Sequence, residues 1–178
     1  MNEQAMQNAI QSALPDVSAE DLAEITIDFI RNGKTLSELK GLTHDQLETI
    51  YAMAYSVYSS GDYEKALKIF RFLCFFDHLE KNYWLGLGGC LQMLKEYEQA
   101  IEAYSNSMML DSENPAIPLL AAECHLALDH KEQAISGLTA AIEWSGTLPD
   151  HVAVRDRAVS LLELVNASAN ATVDEAQS

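Results

Sequence analysis

Glu123, Cys124 and His125 are the neighbouring residues of this sequence whose types could form a reactive centre. A carboxylate, a thiol and an imidazole that converge on one point can activate a nucleophile or bind a metal ion. Consecutive residues of a helix point in different directions, however, so this trio does not converge. The histidines add little, because no two are four residues apart and His130 is separated from His125 by a predicted turn. The sequence therefore predicts no catalytic site, no metal site and no cofactor, and a protein that is not an enzyme.

Gly86, Gly88 and Gly89 could be read as a phosphate-binding loop. They lack the preceding strand and the Lys-Ser/Thr ending of such loops, so this interpretation is weak. Each glycine inside a helix costs about 1 kcal/mol relative to alanine, and the cluster therefore needs another explanation. Gly88 falls at a position where helices pack closely. For Gly89, close packing and access for a ligand remain equally open.

The composition excludes several classes of partner. The 178 residues include 11 basic and 27 acidic side chains, a formal net charge of −16. This charge disfavours direct binding to nucleic acid or to an anionic membrane, because both require a basic surface. The first residues do not resemble a signal peptide, and the three cysteines form no CxxC pair. We therefore expect a cytoplasmic protein.

A period of 34 residues runs through the middle of the chain. GDYEKALKIF from Gly61, KEYEQAIEAY from Lys95 and DHKEQAISGL from Asp129 align at this spacing. The aligned positions are Ala66, Ala100 and Ala134, the bulky Phe70, Tyr104 and Leu138, and the small Ala54, Gly88 and Ala122. This pattern is typical of tetratricopeptide repeats. It predicts an all-α fold in which three tandem helical hairpins, residues 47–80, 81–114 and 115–148, form a curved superhelix.

The segments that flank the repeats are candidates for the capping elements that such a stack requires. Residues 1–17 are ambiguous between structure and disorder, and 18–46 are expected to form a helical cap. Its apolar face, which comprises Leu22, Ile25, Phe29 and Ile30, is large enough to predict a homodimer. Residues 149–167 are expected to form a C-terminal capping helix, and residues 168–178 a disordered tail.

The first helix of each hairpin is expected to line the concave surface. Tyr51, Tyr55 and Tyr58 recur at helical spacing and form one aromatic stripe. Such a stripe belongs either to a core or to a peptide-binding surface, and the second is favoured because the packing positions of this helix are already taken by Ile50, Met53, Ala54 and Val57. The predicted peptide-binding residues are Tyr51, Tyr55, Tyr58, Asn82, Leu85, Gly89, Gln92, Leu119 and Glu123.

Three strings go beyond what repeat packing requires: FRFLCFFDH from Phe70, YWLGLGGCLQ from Tyr83 and AAEC from Ala121. They resemble the class II chaperones of type III secretion systems, which hold hydrophobic translocator proteins before export. The resemblance covers about residues 20 to 165. It departs from the repeat consensus at Lys95 and Asp129, where glycine is preferred and where a strained turn is expected.

The resemblance implies a bacterial cytoplasmic chaperone whose groove binds an extended N-terminal segment of a translocator, with Tyr51, Tyr55 and Tyr58 as groove residues. It also implies self-association through the N-terminal helical region. A second hypothesis is a tetratricopeptide scaffold or co-regulator that assembles a regulatory complex, with a transcription factor as partner.

Overall fold

The computed structural model describes residues 35, 41 and 43–176, with side chains up to residue 167. The chain divides into two units, Met1–His44 and Asp45–Ser178. The predicted dimerisation residues Leu22, Ile25, Phe29 and Ile30 lie outside the described residues, as do residues 1–17, so these expectations stay predictions.

The second unit is built from helices, and the described part of the chain contains no strand. The helices are α1 (His44–Ser59), α2 (Tyr63–Phe76), α3 (Lys81–Met93), α4 (Tyr97–Leu110), α5 (Ala116–Ala127), α6 (Lys131–Ser145) and α7 (Val152–Ala176), with a 3-10 turn at Pro149–His151 before α7. From α2 onward each helix packs against the next, and Tyr51 of α1 packs edge-on against Phe70 of α2. The three predicted hairpins are therefore α1–α2, α3–α4 and α5–α6.

The 34-residue period is visible in the burial of the side chains. The aligned small and bulky residues are buried in every hairpin, namely Ala54, Ala66, Phe70, Gly88, Ala100, Tyr104, Ala122, Ala134 and Leu138. Small side chains let two helix backbones approach, and the bulky residue four positions later fills the space between helices. The repeat positions inferred from the sequence are therefore the core positions of the fold.

The turn inside each hairpin requires a left-handed residue. Gly61, Lys95 and Asp129 occupy the same repeat position and have φ angles of 87°, 64° and 57°. Glycine adopts this conformation freely, whereas a side chain makes it costly by roughly 1–2 kcal/mol. The strain predicted at Lys95 and Asp129 is thus present in the backbone geometry.

The C-terminal helix covers the last hairpin. Ala158 of α7 is buried against Leu138 and Ala141, and Val154 and Leu161 pack around them. The prediction that this helix ends at residue 167 and is followed by a disordered tail is wrong, because α7 continues to Ala176. Residues 168–176 contain several alanines and no glycine or proline, so nothing in their composition ends a helix.

Candidate functional site

A pocket of about 190 Å³ opens between the first helices of the hairpins. Its lining residues are Tyr51, Tyr55 and Tyr58 of α1, Phe70 of α2, Asn82, Leu85, Gly86 and Gly89 of α3, and Leu120 of α5. Six of the nine predicted peptide-binding residues therefore lie together. The volume is below the ~300–1,000 Å³ of small-molecule pockets, which indicates a site for one or two side chains of a longer ligand.

The three tyrosines differ in how they are held. Tyr51 packs against Tyr83, with ring centroids 5.6 Å apart, and Tyr58 packs edge-on against Tyr63 at 5.3 Å. Tyr55 is held by neither arrangement and is 60% exposed. Tyr51 and Tyr58 thus form a supported wall, whereas the ring of Tyr55 is available to cover a ligand.

The two supported tyrosines are neutral at physiological pH, and burial disfavours their charged forms further. Burial, followed by the charge of Glu48, raises the pKa of Tyr51 above its ordinary value. Burial also raises the pKa of Tyr58. Their hydroxyls are therefore protonated at physiological pH and can donate hydrogen bonds to the backbone carbonyls of an extended peptide.

The three glycines of the α3 cluster differ in how closely other residues approach them. A Cβ atom at Gly86 would overlap the ring of Phe70, and one at Gly88 would lie 2.5 Å from Cε1 of Tyr104. Both positions need glycine because the rings of second helices pack directly on the α3 backbone. At Gly89 a Cβ would meet nothing closer than the Tyr58 hydroxyl at 3.4 Å, an ordinary contact distance. Packing therefore does not require glycine at position 89, where the backbone lines the pocket.

Leu119 does not line the pocket, although the sequence placed it on the concave face. It is 5% exposed and belongs to the core cluster with Leu138 and Ala158. The reason is that α7, and not a further hairpin, packs against the third hairpin and buries Leu119. Leu85 occupies the equivalent position one repeat earlier and lines the pocket.

Gln92 and Glu123 meet each other in a polar network away from the pocket lining. The Gln92 Nε2 atom donates to Glu123 Oε2 at 3.2 Å, and the Tyr104 hydroxyl donates to Gln92 Oε1 at 2.6 Å. Arg157 Nε of α7 donates to Glu123 Oε1 at 2.5 Å. The network joins α3, α4, α5 and α7, so both predicted binding side chains have internal partners.

Phe70, Gly86 and Leu120 line the pocket but were not among the predicted binding residues. The sequence assigned Phe70 to the core, and its ring is both buried and part of the pocket wall. Leu120 is 34 residues after Gly86, so the repeat register itself contained the signal that these two positions face the same space.

The thiols do not provide a nucleophile. Cys74, Cys90 and Cys124 are unpaired and buried. Burial raises the pKa of each thiol to about 12, so the reactive thiolate is scarce at neutral pH. Within the described residues no group of three or more His, Cys, Asp or Glu side chains is arranged to hold a metal ion. None of the helices in this part of the chain is long and apolar enough to cross a membrane.

Two family models match the chain. The model described as anaphase-promoting complex, cyclosome, subunit 3 matches residues 71–141, and a tetratricopeptide repeat model matches residues 47–78. The second match confirms the repeat architecture inferred from the 34-residue period.

Sequence and structure relatives agree on a more specific family. Low calcium response locus protein H of Yersinia pseudotuberculosis is 37% identical over 137 residues, 77% of this chain and 82% of that protein. The Yersinia enterocolitica type III secretion chaperone SycD, solved with a peptide of the translocator YopD, is 37% identical with a TM-score of 0.69, covering 71% of this chain and 97% of that one. This chain belongs to the type III secretion translocator chaperones. Another similar structure is that of PcrH from Pseudomonas aeruginosa.

PcrH in complex with the chaperone-binding region of PopD is 42% identical to this chain, with a TM-score of 0.70 over 72% of this chain and 96% of that one. SycD has also been crystallised as an alternative dimer. These similarities confirm the family resemblance that the strings around Phe70, Tyr83 and Ala121 indicated.

Proposed function

We propose that this chain is a bacterial cytoplasmic chaperone, without catalytic activity, that binds hydrophobic translocator proteins before their export. An extended segment of the translocator lies along the first helices of the hairpins and inserts an apolar side chain between Tyr51, Tyr55 and Tyr58. The observation that carries the proposal is this tyrosine-lined pocket, in a chain whose relatives PcrH and SycD have been solved with translocator segments.

The composition of the pocket supports an apolar anchor. Leu85, Phe70 and Leu120 supply apolar walls, and Asn82 is the polar residue beside them apart from the tyrosine hydroxyls. The pocket lining contains no lysine or arginine that could bind a terminal carboxylate. An internal segment of a partner chain, and not its C-terminus, fits these surroundings.

Charge acts mainly on the rate of encounter. Residues 47–148 contain 14 acidic and 6 basic side chains, a net charge of −8. Glu48 is exposed beside the pocket, whereas Glu123 is already paired with Arg157. A segment flanked by lysine or arginine is therefore attracted from a distance, and the apolar pocket holds it after contact.

If charge controls association and the apolar pocket controls dissociation, the two rates should depend differently on salt. The labelled probe is the chaperone-binding region of PopD. Raising the salt concentration from about 0.05 to about 0.5 M should slow its association several-fold, because the distance over which charges attract one another becomes shorter. Dissociation should stay nearly constant, because salt does not screen apolar contacts. Stopped-flow anisotropy measures both rates. A tenfold rise in the dissociation rate would contradict the apolar pocket and indicate an interface of ion pairs.

We also propose that the chain self-associates through residues 20–40, where Leu22, Ile25, Phe29 and Ile30 form an apolar face in the sequence. The alternative dimer of SycD supports the capacity of this family to pair. Sedimentation at tens of micromolar should show a dimer, and Phe29→Glu should yield monomers that still bind the PopD probe. A monomeric wild-type chain under these conditions would refute the proposal.

A further inference from the structure

The turns inside the three hairpins share one backbone motif. In each, the N–H of the residue that follows the left-handed position donates to a carbonyl five residues earlier: Asp62 to Val57 at 3.3 Å, Glu96 to Leu91 at 2.9 Å and His130 to His125 at 2.9 Å. The N–H of the left-handed residue itself donates to the carbonyl three residues earlier, which belongs to Tyr58, Gln92 and Leu126 in the three hairpins. This pair of bonds is the Schellman motif, which normally brings together two apolar side chains across the helix end.

The third hairpin places two imidazoles where the motif brings side chains together. The first hairpin has Val57 and Asp62 at these positions, and the second has Leu91 and Glu96. In the third, Nδ1 of His125 lies 3.5 Å from Nδ1 of His130. The ring centroids are 5.7 Å apart, so the two Nδ1 atoms lie on the facing edges of the rings.

We propose that His125 and His130 form a chelating site for a divalent transition-metal ion of the zinc class, bound through both Nδ1 atoms. Two zinc–nitrogen bonds of about 2.1 Å that meet at a tetrahedral angle place their nitrogens about 3.4 Å apart. The observed separation of 3.5 Å is close to this value. The backbone bond between the two residues holds their main-chain positions together before any ion arrives, which reduces the entropy that binding must overcome.

The ring nitrogens of the pair suit a metal ion, because the neutral imidazole of histidine is a common ligand of zinc. In the metal-free pair one Nδ1 carries the proton of the shared hydrogen bond. Binding through both Nδ1 atoms requires that ring to change tautomer, its proton passing through solvent from Nδ1 to Nε2, so that each ring presents an Nδ1 lone pair to the ion and the number of bound protons does not change.

The site differs from a structural zinc centre in having two protein ligands. Among the described residues no third His, Cys, Asp or Glu side chain joins the group, and the Asp129 carboxylate is directed to Lys131 at 3.6 Å. Solvent would complete the coordination shell. The ion would join the end of α5 to the start of α6 and restrain the third hairpin.

The test uses the untagged full-length chain and zinc chloride alone. Calorimetric titration should show one saturable ion per chain, and copper(II) should bind more tightly than zinc, as the order of stability for these ions requires. His125→Leu copies the residue of the second hairpin, so the turn should form without the chelate. This variant and His130→Asn should each weaken zinc binding about 100-fold, because the second ligand no longer acts intramolecularly.

His44→Gln is the matched control, since His44 lies at the start of α1 and should leave zinc affinity unchanged. Zinc should also raise the melting temperature of the wild type and of His44→Gln, but not of His125→Leu. The absence of saturable zinc binding to the wild type would overturn the proposal. So would a His125→Leu variant that keeps both its metal-free melting temperature and the wild-type zinc affinity.

Discussion

Phe70→Ala should lower the free energy of unfolding by about 3–5 kcal/mol, the usual cost of removing a buried phenylalanine ring. The ring is 1% exposed and lies directly on the α3 backbone at Gly86. It also supports Tyr51, with ring centroids 6.1 Å apart at an angle of 74°. The glycine leaves no side chain that could move into the space, so the cavity should persist. Chemical denaturation monitored by circular dichroism measures the change.

Phe72→Ala provides the control on the same helix. Phe72 is 40% exposed and contacts Phe76, with ring centroids 4.4 Å apart. Its removal should cost about 1 kcal/mol or less, because it forfeits one aromatic pair and opens no cavity. Equal destabilisation by both variants would show that the packing of Phe70 on Gly86 is not what holds the first two hairpins together.

The repeat architecture was predictable because residues of similar size recur every 34 residues. The alanines at positions 66, 100 and 134 are all fully buried, so a local pattern was sufficient to identify core positions. The tyrosine stripe of α1 was predictable for a similar reason. Its helix carries separate apolar residues, of which Ala54 is buried and Ile50 and Val57 are half-buried, although the assignment of Met53 to a packing position is wrong because that side chain is 52% exposed.

Other features depended on contacts between distant segments. Leu119 and Leu85 occupy equivalent repeat positions, yet α7 buries only Leu119, and no period indicates where a stack ends. Arg157 of α7 donates a hydrogen bond to Glu123 of α5, which is 34 residues earlier in the chain. The approach of His125 to His130 depends on the backbone hydrogen bonds of the turn at Asp129, which bring the side chains on either side of it together. In each case the missing information was a tertiary contact or a backbone angle.

Tyr55→Ala should weaken binding of the PopD probe by about 1–4 kcal/mol, or about fivefold to about a thousandfold, as removal of an aromatic anchor does. The ring lines the pocket and is 60% exposed in the free chain, so a ligand would bury surface that now faces solvent. The same exposure means that the free protein gains little from the ring. The melting temperature should therefore change little, because exposed substitutions are usually within about 0.5 kcal/mol. Fluorescence anisotropy and thermal denaturation separate the two effects.

Met53→Ala is the matched control, because Met53 lies on the same helix, is 52% exposed and does not line the pocket. Its affinity for the probe should equal that of the wild type. Tyr55→Phe distinguishes the ring from its hydroxyl: retained affinity would assign the anchor to the apolar ring, and a loss equal to that of alanine would assign it to a hydrogen bond. A large fall in melting temperature for Tyr55→Ala with unchanged affinity would place the tyrosine stripe in the core. The pocket would then need another ligand-contacting wall, for which the half-buried Leu85 and Leu120 are the remaining candidates among its apolar residues.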